Sequence, residues 1–139
     1  KMSKSGESPA GILWLLDEPA ALTKKIKSAV TDTDNSIHRD PDTKPGVSNL
    51  LSLLALATHR SVEDVVSGLS GSGYGALKAE VAEAVVELVS PIRLKTHELL
   101  SDPAELDRLL AVGAEKAEAT AQATLHRAHQ ALGLLPRLS

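Results

Sequence analysis

Apolar residues recur at three- and four-residue spacing through nearly every long segment of this chain, while alternating β-branched or aromatic patterns are almost absent. That periodicity predicts an all-α fold, a helical bundle. Ser8 and Pro9 open a short apolar turn through Leu13, Trp14 and Leu16, which are expected to begin the packed core, and Asp17 with Pro19 reads as the cap and first turn of a helix. This helix places Leu22, Ile26, Ala29 and Val30 on one face and leaves Lys24, Lys25 and Lys27 largely off it. From Thr31 to Pro45 the chain is polar and rich in Asp, Asn and Pro, so it predicts a surface loop with no means of burying itself.

After Gly46 the stripe Val47, Leu50, Leu51, Leu54 and Ala55, widened by Leu53 and Leu56, predicts a helix apolar nearly all round and therefore central. Ser61 with Asp64 starts a short helix burying Val62, Val65, Val66 and Leu69. Gly68, Gly71, Gly73 and Gly75 interrupt the pattern. A long helix follows along Leu77, Val81, Ala84, Leu88 and Ile92, with Pro91 as an expected kink or break. Asp102, Pro103 and Glu105 then cap a last helix whose stripe, from Leu106 through Leu109, Leu110, Gly113, Ala114, Ala117, Ala121, Leu125 and Ala128 to Leu132, is mostly small and suited to close helix approach. No internal repeat is visible.

Composition narrows the chemistry. With 139 residues the chain has the length of one ordinary domain, short for an enzyme handling three substrates. It has no cysteine, which removes disulfides and thiolate metal sites and fits a reducing cytoplasm. No apolar run is long enough to cross a bilayer. The net charge of −3 argues against holding nucleic acid by bulk electrostatics, so any RNA contact must be local.

Lys1-Met2-Ser3-Lys4-Ser5 sets two ammonium groups three residues apart in a polar stretch that Gly6 and Pro9 keep from regular helix. Lysine ammonium groups on flexible stems serve as mobile point charges toward an anionic partner.

The pentapeptide resembles, letter for letter, the KMSKS signature of class I aminoacyl-tRNA synthetases. Further stretches are similar to the tryptophanyl enzymes, in the same order: Lys24-Lys25-Ile26-Lys27-Ser28-Ala29-Val30-Thr31-Asp32, Lys44-Pro45-Gly46-Val47-Ser48-Asn49-Leu50-Leu51, Gly73-Tyr74-Gly75 with Leu77-Lys78, and Gly113-Ala114-Glu115-Lys116-Ala117. The resemblance implies that residues 1–8 are the ATP-binding loop ending a catalytic domain, with Lys4 and Lys1 catalytic and Lys1, Met2, Ser3, Lys4 and Ser5 on ATP. It implies that residues 9–139 are the helical domain facing the tRNA anticodon. For a whole enzyme it implies tryptophan, ATP with Mg2+, the tryptophan tRNA, a homodimer and a cytoplasmic setting. The family's HIGH-type motif and nucleotide fold are missing, and the chain starts at Lys1 rather than methionine. The expectation is therefore a C-terminal fragment, inactive alone, with no resident cofactor and with Lys1 and Lys4 exposed and unpartnered.

Other features invite functional readings. Lys24, Lys25 and Lys27, with Lys78 and Lys116, are candidate tRNA contacts, against the alternative of solvated helix faces. Gly71-Ser72-Gly73-Tyr74-Gly75 lacks the Gly-Lys-Ser/Thr ending of a phosphate loop and reads as a flexible turn, although the helix start after it, with Lys78, could meet a phosphate. His126 and His129 have no further ligand at matching spacing, so no metal site is expected. Trp14 and Tyr74 are too few for base-stacking platforms, and Asp32, Asp34, Asp40 and Asp42 have the composition of capped turns. A tyrosyl relative and a free-standing helical RNA-binding module remain the competing readings.

Overall fold

The computed structural model describes residues 9–134. Among these, after one 3-10 turn at Pro9–Gly11, the regular structure is helical throughout: α1 (Pro19–Lys27), α2 (Pro45–Thr58), α3 (Val62–Gly68), α4 (Tyr74–Ser101) and α5 (Pro103–Ala131). The chain divides into two compact units at the Lys95/Thr96 boundary. The boundary expected at Ser8, like Lys1 and Lys4, lies outside the described residues.

The first unit holds a single core. Leu22 and Ile26 of α1 meet Val47, Leu50, Leu51, Leu54 and Ala55 of α2, Val65 of α3, and Leu77, Val81, Ala82, Val85 and Val89 of α4. Each fully buried leucine or valine among them stabilises the fold by about 1.5–3 kcal/mol. Helix α2 is central, as its all-round apolar pattern predicts, with Leu56 the exception at 67% exposure. Helix starts follow local chemistry. The Ser61 hydroxyl accepts the Asp64 N–H at 3.0 Å, the Asp102 carboxylate accepts the Glu105 N–H at 3.1 Å, and Pro occupies the first turn of α1, α2 and α5.

Several expectations are corrected. Leu13 packs on the core, but Trp14 and Leu16 remain exposed. Asp17 does not cap α1; Glu18 holds that position, and the Asp17 side chain bonds elsewhere. Because α1 ends at Lys27, Val30 lies beyond it and is exposed. On α4 the buried stripe runs along Leu77, Val81, Val85 and Val89, which leaves Leu88 and Ile92 outside, and the helix continues through Pro91 without ending.

In the second unit α5 buries none of its residues. Its alanine-rich stripe offers little apolar area per turn. The other helical segment described in that unit is the end of α4, Thr96 to Ser101, so the close helix approach expected of this stripe is not found there.

Candidate functional site

The lysines of α1 divide by geometry. Lys24 and Lys27 are exposed. Lys25 turns inward: its ammonium donates to the Ile12 carbonyl at 2.8 Å and to Asp17 Oδ2 at 2.6 Å. Asp17 Oδ2 also accepts the Trp14 N–H at 3.0 Å, and the Asp17 N–H donates to the Trp14 carbonyl at 3.1 Å. The Lys25 hydrogen bond, and after it that of Trp14, holds the Asp17 carboxyl below the usual carboxylate range against the opposing effect of burial.

The segment from Thr31 to Pro45 is pinned rather than loose. Lys44, at the N-cap position of α2, is only 5% exposed. Its ammonium donates to Asp32 Oδ1 at 3.1 Å, to Asp34 Oδ1, to the Ser36 carbonyl at 3.2 Å and to the Tyr74 hydroxyl oxygen at 2.8 Å. With three protons for four oxygens, at least one contact is shared. The Tyr74 hydroxyl lies 2.5 Å from Asp32 Oδ1, 2.9 Å from Asp34 Oδ1 and 3.1 Å from the Ser36 carbonyl. Asn35, in the left-handed region at φ 57°, accepts the Tyr74 N–H at 2.8 Å.

Physical chemistry accounts for this convergence. Tyr74 is the first residue of α4 and Lys44 immediately precedes α2, and the Asp32 and Asp34 carboxylates meet the tips of both side chains. An ammonium alone would be unfavourable there. Asp32 and Asp34 make the placement possible, and Asp40 adds a second pin by accepting the N–H groups of Asp42 and Thr43 while its own N–H donates to Ser48 Oγ at 2.9 Å. Gly73 fits closely: a Cβ there would lie 2.7 Å from Asn35 Nδ2.

The charges respond accordingly. The Tyr74 hydroxyl, then Lys44 and the Asp34 N–H, hold Asp32 below the usual range despite burial. Lys44 foremost holds Asp34 well below it. For Lys44 burial is the largest influence and pulls its pKa down, but the combined hydrogen bonds of Asp34, Tyr74 and Asp32 outweigh it and leave the pKa above the ordinary lysine value. Burial, helped by Asp32, pushes the Tyr74 hydroxyl up to about 12.

This network draws together three of the sequence stretches singled out above, those containing Asp32, Lys44 and Tyr74. Lys44 and Tyr74 were missed as partners because a polar loop and a glycine-rich turn each read as solvated; the available signal was a lysine preceding Pro45 and an apolar helix, with two aspartates upstream. Lys78 is half-buried in the second turn of α4, and Lys116 is exposed on α5. Lys1, Met2, Ser3, Lys4 and Ser5 lie outside the described residues.

The described residues hold no group of three His, Asp or Glu side chains suited to a metal. The Asp32–Asp34 pair already faces an ammonium, so it does not fit Mg2+. A cleft of about 560 Å³ between Asn35–Ile37 and the Ser67–Gly73 turn is lined by no titratable side chain, so it offers binding surface without acid–base chemistry. No helix among the described residues is long and apolar enough to cross a membrane.

Among the described residues the frame is helical throughout, with polar networks where the chain enters α1, α2 and α4. The family model for class I tRNA synthetases (W and Y) matches residues 1–90, and the chain belongs to that family. It is 50% identical over 137 residues to the tryptophan–tRNA ligase of Mycobacterium leprae and 49% identical over 136 residues to tryptophan–tRNA ligase 2 of Streptomyces avermitilis. These alignments cover 99% and 98% of this chain but 40% of each relative, so the chain spans about two fifths of their length. The crystal structure of the tryptophanyl-tRNA synthetase from Mycoplasma pneumoniae matches with a TM-score of 0.80 at 30% identity, covering 98% of this chain and 43% of that one.

Proposed function

We propose that the chain is the C-terminal part of a tryptophan–tRNA ligase: residues 1–8 supply the loop that meets ATP, and residues 9–139 form the helical region on the anticodon side of the tRNA. The observation that carries this reading is identity at about half of all positions over nearly the whole chain, in relatives that bear that name. The family model spans enzymes for both tryptophan and tyrosine, and the choice of tryptophan rests on those relatives.

In this reading the parent enzyme joins tryptophan to ATP and passes it to the tryptophan tRNA, in the cytoplasm and as a homodimer. The tryptophan carboxylate is already a nucleophile, so activation requires no general base from these residues. Lys1 and Lys4 stabilise the pyrophosphate charge as it develops. Mg2+ accompanies ATP, and the described residues provide it no ligand set. Lys24 and Lys27, with Lys78 and Lys116, are the candidate tRNA contacts, because Lys25 commits its ammonium within the chain.

Tryptophan-dependent exchange of pyrophosphate into ATP tests the proposal. The 139-residue chain alone gives none, and in the complete ligase Lys4→Ala lowers kcat for activation by roughly a hundredfold while ATP affinity changes much less. Exchange by the pure chain, or a Lys4→Ala enzyme with normal single-turnover activation, overturns it.

A further inference from the structure

The cleft between residues 35–37 and the turn of residues 67–73 has two fixed walls. On one side Asn35 accepts the Tyr74 N–H at 2.8 Å, and the Ser36 carbonyl lies 3.2 Å from the Lys44 ammonium and 3.1 Å from the Tyr74 hydroxyl. On the other, Ser70 and Ser72 donate their N–H groups back within the turn, to the Ser67 and Leu69 carbonyls. The space between them, about 560 Å³, is thus a preformed recess within the size range of small-molecule sites, about 300–1,000 Å³. Its lining is uncharged. Ile37, Val66 and Leu69 give it apolar surface continuous with the core. Ser67, Ser70 and Ser72 add hydroxyls with no partner among the described residues, and the N–H groups of Gly71 and Gly73 are likewise unused. Hydroxyls both donate and accept, so this lining matches a flat, mainly apolar ligand with donors and acceptors along its edge. A phosphate finds no cation here. It finds one beside the cleft: Val66 also lines a smaller hollow with Arg39, whose exposed guanidinium makes no ion pair among the described residues, although Glu63 borders the same hollow.

We infer that this cleft takes one unstacked nucleotide of the tRNA, with its base against Ile37, Val66 and Leu69 and its phosphate on Arg39. The inference rests on the proposed function, which supplies the RNA. A neutral recess beside an unpaired cation suits a single-stranded nucleotide, whose base offers face and edge together while its backbone carries the charge. The Lys44–Tyr74 network then has a purpose beyond stability. By fixing Asn35 and Ser36 it shapes the cleft before RNA arrives, which removes an ordering cost from binding. The lining has no aromatic ring for the base to stack on, so the contact falls at the low end of single-base binding, about fivefold in affinity.

Two measurements test it. The first titrates the isotope-labelled 139-residue chain with each common ribonucleoside monophosphate, and separately with ribose 5-phosphate and inorganic phosphate, and follows the amide resonances. Residues 35–37 and 70–73 should shift with at least one nucleotide, whereas the two base-free phosphates should shift only the neighbourhood of Arg39. Cleft shifts reproduced by inorganic phosphate would make this an anion site, and no cleft shift with any nucleotide at millimolar concentration overturns the inference. The second uses the complete ligase. Ser67→Trp fills the cleft and should raise KM for the tRNA about fivefold, while Ser67→Ala changes it less than about twofold. Arg39→Gln should lower the magnitude of the slope of log tRNA affinity against log salt by about 0.7, as for one phosphate on a single strand. Tryptophan-dependent pyrophosphate exchange, which involves no tRNA, should be unchanged in all three. If Ser67→Trp keeps the parent's KM for tRNA, the cleft inference fails and the proposed function stands. Should Ser67→Trp fold poorly, Arg39→Gln still decides, because an unchanged salt slope overturns the inference. If the unmutated ligase charges no tRNA, the proposed function fails, and this inference fails with it.

Discussion

Gly46→Ala tests how closely the start of α2 approaches the segment after α1. A Cβ at Gly46 would lie 2.2 Å from the Val30 carbonyl oxygen, 3.3 Å from Val30 C and 3.7 Å from Thr31 Cα, all of them backbone atoms. The contact must open by about 1 Å, and backbone cannot rotate away as a side-chain tip would. Overpacking of this kind costs about 1–3 kcal/mol and occasionally more, while alanine near a helix start returns half of its full advantage over glycine, about 0.5 kcal/mol. A net loss of about 2 kcal/mol follows, which lowers Tm by roughly 8–16 °C for a domain of this size. Gly75 is the matched control, because it too is the second residue of its helix and a Cβ there meets nothing within 4 Å. Gly75→Ala should raise Tm by roughly 2–4 °C. Thermal unfolding followed by far-UV circular dichroism measures both. If Gly46→Ala melts at or above the parent chain while Gly75→Ala behaves as expected, the close approach to Val30 is wrong and the account of the pinned loop loses its base.

The single tyrosine allows the Lys44 network to be titrated by phenolate absorbance. The folded chain should show its midpoint pushed up to about 12, against about 10 in denaturant. Since the folded value is the higher, this contribution to stability is complete below pH ~10 and is lost as pH rises toward ~12. A folded midpoint near the denatured one would contradict the burial of the hydroxyl. At the acid end the sign reverses, because Asp17, Asp32, Asp34 and Asp40 are all depressed: their contribution is present above about pH 4 and lost as pH falls through the folded values. Lys44→Met should flatten that acid limb in urea titrations across pH, and an unchanged limb would mean that the carboxylates owe little to Lys44. Binding of the tryptophan tRNA by the chain alone should be weak, with a slope of log affinity against log salt of magnitude about 1–3, as for a few phosphate contacts. Tight, salt-insensitive binding would assign recognition to bases instead.

Much of the fold was legible because its signals are local. Capping at Ser61 and Asp102, the Pro-started helices and the apolar girth of α2 each follow from a few adjacent residues, and the structure shows them. Stripes were read less accurately where two registers compete. On α4, Ala84, Leu88 and Ile92 fit the spacing as well as Val85 and Val89 do, and only packing into the shared core chooses between them. The Asp32–Lys44–Tyr74 network was illegible for another reason: its members are separated by up to 42 residues, and each sits in a stretch whose own composition reads as solvated. The ATP loop, by contrast, was legible as a motif and lies outside the residues in which geometry could test it.

The two inward lysines also change how the chain's charge should be counted. A sequence reading treats Lys24, Lys25 and Lys27 alike, as positive groups available to phosphate, and assigns Lys44 no contact. The structure divides them. Lys25 and Lys44 each satisfy a carboxylate and a backbone carbonyl, and each fixes a non-helical segment against the core. Their charges are matched at short range and add little to the field that a polyanion would meet. The aspartates they hold, Asp17, Asp32 and Asp34, are equally withdrawn from repelling one. Net charge is therefore a poor guide to this surface: −3 is the sum over groups that cancel internally and groups that face solvent, and only the second set acts at a distance. On α1 that set is Lys24 and Lys27, one helical turn apart and both exposed, so a local RNA contact is compatible with an acidic chain without any appeal to its overall charge.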